Sequence, residues 1–560
     1  MSQPSGLILR GNDRVVFLGD SITEQQLYTN YVESYLATRY PELGLTFFNA
    51  GWGGDSSTGG AKRLERDVLS LRPTVVTICY GMNDGCYTLP TDEIRATFVG
   101  GMRELIARLK AADVRTVLLT PGMVDETVSP QLASVRYNHQ GLRVIADEVL
   151  KLAVEHGLPS FDLHRLMNEV DQRAKAAVPG FCMIPDSVHP DPAGHLVMAF
   201  GLLHALGVPP RRLEIDMDIE TGRAKASDGV SVGRIRKNAY GFTLDMRLER
   251  LPFFIEPAAR KVLPFLPFLE TFNELKMILR GLKNARALFR SETMRSASIT
   301  SGEFAKGVNL FSQWVHPAVR QAEKVHRYTL DKDLVYFKIW RALSLNNENT
   351  AFHNARAHTA GIRMMPILDR GRDRLLKGRP VLASRLSFVY IDLPGEPLVD
   401  GDFITQWSLR GPHAKPWNDD KLGGEAAFSA REPSLTSEWL AADLDLSSIG
   451  NNLIQVFGQK TDCFAYAVTL IQSPVEQTAE LLIGSDDGVA VWLNGVRIWN
   501  NLDVGRSVTI DQDRMPAALR QGVNILLMKI SQGPGGWGFC ARFAGLRRSV
   551  ATLRPQDHHG

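Results

Sequence analysis

The sequence predicts a multidomain chain: an open α/β domain first, a β-rich and then helical middle, and an antiparallel, jelly-roll-like β-sandwich at the C-terminal end. Three observations predict it. At 560 residues the chain is several times the usual length of one domain. Between residues 14 and 207 short apolar runs alternate with amphipathic stretches, the pattern of a parallel sheet covered by helices. From about Arg385 to Arg548 short β-patterned runs recur between Gly, Pro, Asn and Asp clusters, the pattern of an antiparallel sandwich.

In the first region the strand candidates are Val15 to Leu18, Leu45 to Phe48, Thr74 to Tyr80, Thr116 to Thr120 and Ser160 to Asp162. Helical patterns lie between them at Tyr28 to Arg39, Ala61 to Leu71, Thr91 to Ala111 and Gln131 to His156, and a closing helix runs from Pro192 to Leu206. Crossovers of this length suit parallel strands. The periodicity then changes. A mixed β-rich segment reaches Val308, with Gly241 to Leu248 alternating as a half-buried strand does, and residues 316 to 345 read as one long helix bracing the domains. Strand runs follow at Leu386 to Ile391, Phe464 to Ile471, Ala479 to Ile483, Val489 to Leu493 and Val523 to Ile530, the fourth ending in the hairpin signal Asn494-Gly495. The expected units are therefore 1–207, 208–308, 309–384 and 385–550.

Composition narrows the function classes. A charged fraction of 22% with a net charge of +3 is too balanced to call for nucleic acid as a partner. No window approaches the roughly 20 apolar residues that span a bilayer. The apolar residues near Leu7 are interrupted by Arg10, Asp13 and Arg14, unlike an export signal, so the expected compartment is cytoplasmic, or secreted or periplasmic if a signal peptide has been removed. The five cysteines are scattered without paired spacing, which predicts reduced thiols and no zinc site. Oligomeric state is not legible.

The most informative residues are Gly19-Asp20-Ser21-Ile22, directly after the first strand. Ligands of open α/β sheets sit outside the carboxyl ends of strands, which makes Ser21 a candidate nucleophile. A serine hydroxyl needs an adjacent base, itself oriented by a carboxylate. The segment Asp186-Ser187-Val188-His189 supplies both on one loop before the closing helix. Acyl transfer also needs donors for the developing oxyanion, each worth about 2.7 to 4 kcal/mol. Two further strand-end loops offer them: Asn49 to Ser56, where Gly54 presents a backbone N–H, and Gly81-Met82-Asn83-Asp84, where Asn83 presents its amide. With the Ser21 N–H these make a three-donor hole.

These four blocks, in this order and at successive strand ends, closely resemble the SGNH (GDSL-type) hydrolase family over residues 14–207. The resemblance implies a three-layer α/β/α sandwich with a flavodoxin-like parallel sheet, Ser21, Asp186 and His189 as catalytic triad, and Ser21, Gly54 and Asn83 as oxyanion hole. It implies no metal and no organic cofactor. Asp20, Asp55 and Asp84 read as turn-organising acids, His195 and His139 as packing or surface histidines, and Cys79 and Cys86 as small hydrophobes rather than a redox pair. Trp52, between the loop glycines, is a candidate wall of the substrate pocket or an ordinary packing aromatic.

In the C-terminal half, Gly484 to Gly495 looks like the SDDG-x-x-x-W-x-NG element of PA14-like and galactose-binding-like sandwiches. That likeness makes Asp486, Asp487 and Trp492 candidate carbohydrate contacts; the alternative is a tight turn with its tryptophan in the core. Arg250 to Pro257, Gly307 to Leu310 and Asp333 to Trp340 resemble linking regions of large bacterial multidomain SGNH proteins. The expected activity is hydrolysis of short acyl esters, foremost acetyl esters, on a small-molecule or oligosaccharide substrate. A broad short-chain carboxylesterase or lipase-like enzyme is the alternative, and a carbohydrate-binding protein with an inert hydrolase domain is the alternative of another class.

Overall fold

The computed structural model describes residues 6–238, 241–282, 286–291, 296–345, 365, 367–369, 371, 382–391, 395–431, 433 and 435–553. The first region is a five-stranded parallel sheet of β1 (Arg14–Gly19), β2 (Thr46–Gly51), β3 (Val75–Cys79), β4 (Arg115–Leu119) and β5 (Ser160–Phe161), in the order β2-β1-β3-β4-β5. Its strands are apolar on both sides because both faces are covered. Val15 and Phe17 enter one core, with Tyr31 and Tyr35 of α2 (Leu27–Arg39) and Leu196 and Val197 of α7 (Pro192–Ala205). Val16 and Leu18 enter the other, with Leu64 of α3 (Ser57–Asp67), Leu105 of α4 (Asp92–Ala111) and Val149 of α5 (Arg143–His156). The period-2 alternation of β1 thus separates the two helical layers.

The pattern expected as one helix over Gln131 to His156 is broken: Pro130–Ser134 is a short helix, Tyr137–Leu142 a wide π turn, and only α5 continues regularly. The helix α6 (Leu163–Ala177), begun by Asp162 accepting from the Arg165 N–H at 2.9 Å, was not anticipated.

In the middle region one sheet joins Val308–Asn309, Glu274–Arg280, Arg212–Asp218 and Ala224–Ala226. A second joins Ile299–Thr300, Arg286–Arg290, Leu382–Ile391, Gly241–Leu248 and Val230–Asn238. This corrects an expectation: the strand at Leu386 to Ile391, assigned to the C-terminal sandwich, pairs instead with Gly241–Leu248 and Arg286–Arg290. Phe388 stacks on Phe242 at 4.5 Å, and Leu386 and Phe388 enter the middle core, so burial holds the strand there. The long helix is observed as α8 (Pro317–Leu345). Val319, Ala322 and Val325 enter the middle core, while Tyr336 and Trp340 enter the core beneath α3 and α4. Residues 346–364 and 372–381 of the expected helical span lie outside the described residues.

The C-terminal region is antiparallel. Cys463–Ser473 and Gly522–Gln532 are the central strands of an eight-stranded sheet, and Asp513–Leu519, Gln477–Asp486 and Gly538–Ala544 form a three-stranded one. Both contribute to one core, which includes Leu481, Phe543 and Met528. The anticipated hairpin is present: Asn494 and Gly495 take φ of 51° and 84° between Val489–Leu493 and Val496–Asn500.

Candidate active site

The nucleophile candidate sits where β1 passes into α1 (Ser21–Glu24). The Asp20 carboxylate accepts from the Ile22 N–H at 3.0 Å, capping that turn and presenting Ser21 at its start. Asp20 is therefore a turn organiser, as its place in the sequence indicates. Burial, reinforced by Asp84 and Asp55 against the Ile22 N–H, pushes its carboxyl up to about 7. Gly51, at the end of β2, is where α1 crosses the sheet: a Cβ there would meet the Glu24 nitrogen at 2.2 Å.

The loop carrying Asp186 and His189 reaches the same point. His189 Nε2 is 2.9 Å from Ser21 Oγ, and His189 Nδ1 is 2.7 Å from Asp186 Oδ2. The other Asp186 oxygen accepts the N–H groups of Val188 at 3.0 Å and His189 at 2.6 Å, so the acid shapes the loop as well as facing the ring. Burial alone would raise the Asp186 carboxyl, but these N–H groups and the imidazole together hold it below the ordinary range. Two residues on, Asp191 caps α7 through Ala193 and Gly194 and pairs with Lys261 at 2.5 Å, which anchors the loop from behind.

The other two blocks lie at the ends of β2 and β3. Gly54 is exposed, with φ of +71° that a side chain would strain. Asn83 Nδ2 donates to the Asp55 carbonyl at 2.9 Å, and its Oδ1 accepts from the Tyr87 hydroxyl at 3.1 Å. Asp84 accepts from the N–H and hydroxyl of Ser57 at 2.8 and 2.6 Å, clipping the β3 loop to the start of α3. Asp55 accepts from Tyr80 at 2.6 Å and from Arg63 at 2.8 Å.

Three neighbours were not singled out from the sequence. Tyr87 bonds Asn83 and lies within the fields of Asp20 and Asp186, which add to burial in raising its hydroxyl to about 12. Arg63 and Tyr80 form the network behind the glycine loop. Only the closeness of Tyr87 to the Asn83 block was visible in the sequence.

The remaining candidates have other places. The Trp52 ring stands edge-on to Trp340 of α8 at 5.8 Å, with Arg63 and Arg66 at 5.9 and 5.7 Å, so it joins the loop to the long helix. His195 is buried, stacks on Tyr28 and bonds Gln25 at 2.8 Å; burial depresses it to about 3, as befits a packing residue. Cys79 is buried and Cys86 exposed, both free. Trp492 is 5% exposed among Phe464, Tyr466 and Leu527, so it presents no face to a sugar ring. The Asp487 carboxylate accepts the N–H groups of Gly533 at 2.5 Å and Arg506 at 3.1 Å, and Asp486 beside it is also buried. All three residues are buried, the Asp487 carboxylate within its turn and Trp492 within the core. Among the described residues no group of three or more His, Cys, Asp or Glu side chains is arranged to hold a metal, and no helix is long and apolar enough to cross a membrane.

Residues 17–197 match the family model of the GDSL-like Lipase/Acylhydrolase family. The chain carries a GDSL-like acylhydrolase domain. An acetylxylan esterase of Geobacillus stearothermophilus is 28% identical over 221 residues, 35% of this chain and 94% of that protein. An isoamyl acetate-hydrolyzing esterase of Saccharomyces cerevisiae is 24% identical over 174 residues, 28% of this chain and 72% of that protein. Among solved structures, BT4096, a gut microbial diltiazem-metabolizing enzyme, superposes with a TM-score of 0.57 at 21% identity, over 70% of this chain and 99% of that one. That likeness is one of fold, and it extends well beyond the acylhydrolase domain.

Proposed function

We propose that the protein is a serine esterase that removes short acyl groups, foremost acetyl, from a carbohydrate through an acyl-enzyme intermediate. The observation that carries the reading is the continuous relay from Asp186 Oδ2 through His189 to Ser21 Oγ, at 2.7 and 2.9 Å. In this mechanism Ser21 Oγ attacks the ester carbonyl carbon while His189 Nε2 takes its proton. The carbonyl oxygen becomes an oxyanion facing the Ser21 and Gly54 N–H groups and the Asn83 amide. As the tetrahedral adduct collapses, the alkoxide leaves with the proton from His189. Water, deprotonated by the same ring, then attacks the acyl-serine, releasing carboxylate and restoring Ser21. Asp186 keeps the Nδ1 proton in place and stabilises the imidazolium.

Two observations support the substrate class. Both esterase relatives are named for acetylated substrates. His189 and Asp186 side chains are 34% and 55% exposed, so the crevice admits a bulky alcohol portion such as a saccharide. The isoamyl acetate relative favours a second reading, a broad acetyl esterase indifferent to the alcohol. The test compares hydrolysis of p-nitrophenyl acetate and of an acetylated xylo-oligosaccharide by wild type and Ser21→Ala. The proposal requires turnover of the oligosaccharide that disappears in the variant. Turnover of the aryl ester alone selects the broad esterase; turnover that survives Ser21→Ala rejects the serine mechanism.

A further inference from the structure

A cavity of about 890 Å³ opens between the segment Phe254 to Arg260 and the first half of α8, and none of the acyl-transfer residues lines it. Its volume is in the range of ligand sites. The floor is apolar, from Phe254, Trp314, Val319 and Leu330, and the rim is basic, from Arg260, Arg320, Lys324 and Arg327.

The charges do not cancel. Glu323 is taken by Arg327 at 2.7 Å, and Glu256 accepts from the Tyr31 hydroxyl. Among the described residues no carboxylate comes within ion-pair distance of Arg260, Arg320 or Lys324. Arg260 is the telling one. Its Nε donates to the Ile255 carbonyl at 3.0 Å and its guanidinium lies 3.8 Å over the Trp314 ring, which fixes the group half-buried with its terminal nitrogens unmatched. A half-buried guanidinium with no directly paired carboxylate is costly unless a ligand supplies one; burial lowers its pKa, and the nearby charge of Glu323 opposes this only in part. Arg320, Lys324 and Arg327 follow at helical spacing on the opposite wall.

A second feature belongs to the wall of the same cavity. His326 is 3% exposed; its Nδ1 faces Ser34 Oγ at 3.0 Å, and its Nε2 has no partner. Buried polar nitrogens are nearly always paired. Burial depresses this ring to about 4, so it is neutral at ordinary pH, and its open Nε2 offers one hydrogen bond, as donor or acceptor according to the tautomer.

We propose that this groove is a second ligand site, distinct from the Ser21 crevice, that binds an organic carboxylate attached to an apolar or pyranose body. The carboxylate lies against Arg260, Arg320 and Lys324, and the body along Phe254, Val319 and Leu330. The shared chemistry fits a fatty acid or an acidic sugar, and paired probes separate the two.

The experiment is calorimetry on the full chain and on Ser21→Ala, with octanoate against octan-1-ol and with trigalacturonate against xylotriose. Within one pair the charged member binds and its neutral counterpart is at least about tenfold weaker, as one charge-assisted contact provides. The pair that behaves so names the source. Arg260→Gln and, on the exposed wall, Arg320→Gln with Lys324→Gln each weaken the carboxylate about tenfold while ester turnover is retained. Ser21→Ala leaves binding unchanged, so a chain without esterase activity would still test the site. Equal affinity for charged and neutral members, binding of neither carboxylate, loss of binding in Ser21→Ala, or indifference to the Arg320 and Lys324 changes would each overturn the proposal.

Discussion

The guanidinium of Arg63 stands 2.8 Å from the Asp55 carboxylate, both 8% exposed, and this pair is the knot of the site. The same guanidinium donates to the Tyr80 hydroxyl at 2.8 Å and to the Gly19 carbonyl at 3.2 Å. One cation on α3 therefore touches the end of β1 just before Ser21, the loop just after Gly54, and the end of β3 before Asn83. The three candidate oxyanion donors come from three loops, and Arg63 fixes their relative positions. Arg63→Met leaves Asp55 buried and uncompensated, with an expected loss of ~3–5 kcal/mol in urea unfolding. It also lowers kcat for p-nitrophenyl acetate ~100-fold with little change in KM, as a misplaced site does. Arg63→Lys keeps the charge without the fork and should recover stability more than kcat. A variant as active as wild type would remove Arg63 from the positioning of the site.

The two oxygens of Asp186 have separate jobs, which gives a cleaner test of the acid than truncation. Oδ1 holds the loop through the N–H groups of Val188 and His189, and Oδ2 faces the ring. Asp186→Asn can keep the first role while placing an N–H against His189 Nδ1, forcing the wrong tautomer. The expectation is a kcat lower by ~10⁴-fold with an unchanged melting temperature, since the side chain is 55% exposed. Asp186→Ala loses the loop contacts too and should add a rise in KM. Wild-type turnover in Asp186→Asn would show that the ring needs no carboxylate.

The parts of this arrangement that were legible in the sequence are those whose signal is local. Ser21, Gly54 and Asn83 each sit in a short block after a strand, the Asp186–His189 pair sits on the loop before the closing helix, and block order carries the rest. Arg63 and Tyr80 could not be read, because an arginine on an amphipathic helix and a tyrosine at a strand end are ordinary residues; only tertiary packing brings them to Asp55. The strand Leu382–Ile391 was recognisable by its alternation, yet its partner Gly241–Leu248 lies more than a hundred residues upstream, and period-2 patterning names no partner. The same holds for Trp492: the turn before it was visible, but which face of its strand is buried depends on the layer that packs there.

Buried histidines set an acid limit on stability. Burial depresses His195 to about 3 and His164 to about 4, against about 6.5 in the unfolded chain. A folded-state value below the unfolded one means that the unfolded chain takes up the proton first. Stability is thus full above pH ~6.5 and is lost as pH falls toward 3 to 4. Asp20 works the other way: burial pushes it up to about 7, so its contribution is full below the unfolded carboxyl value and is lost as pH rises through about 7. His195→Phe isolates one proton. Between about pH 6.5 and 4 the stability gap between wild type and variant should shift in the variant's favour by ~1.4 kcal/mol per pH unit. Parallel curves from urea melts at stepped pH would show that His195 titrates as freely folded as unfolded.

In the C-terminal region, burial makes Trp492 a stability residue. It packs with Trp439, Phe464, Tyr466 and Leu527 behind the turn whose Asp487 accepts two backbone N–H groups. Truncating it opens a large cavity, so Trp492→Ala should cost ~3–5 kcal/mol, while Trp492→Phe, which replaces the indole by a smaller aromatic ring, costs less. Asp487→Ala strands the Gly533 and Arg506 N–H groups and should destabilise by ~1–3 kcal/mol through their lost acceptors. If the sandwich binds an oligosaccharide through another surface, Trp492→Phe leaves that affinity at the wild-type value in calorimetry with xylo-oligosaccharides. A selective loss of sugar affinity in Trp492→Phe, with the unfolding midpoint unmoved, would instead return this tryptophan to a binding role and contradict its burial.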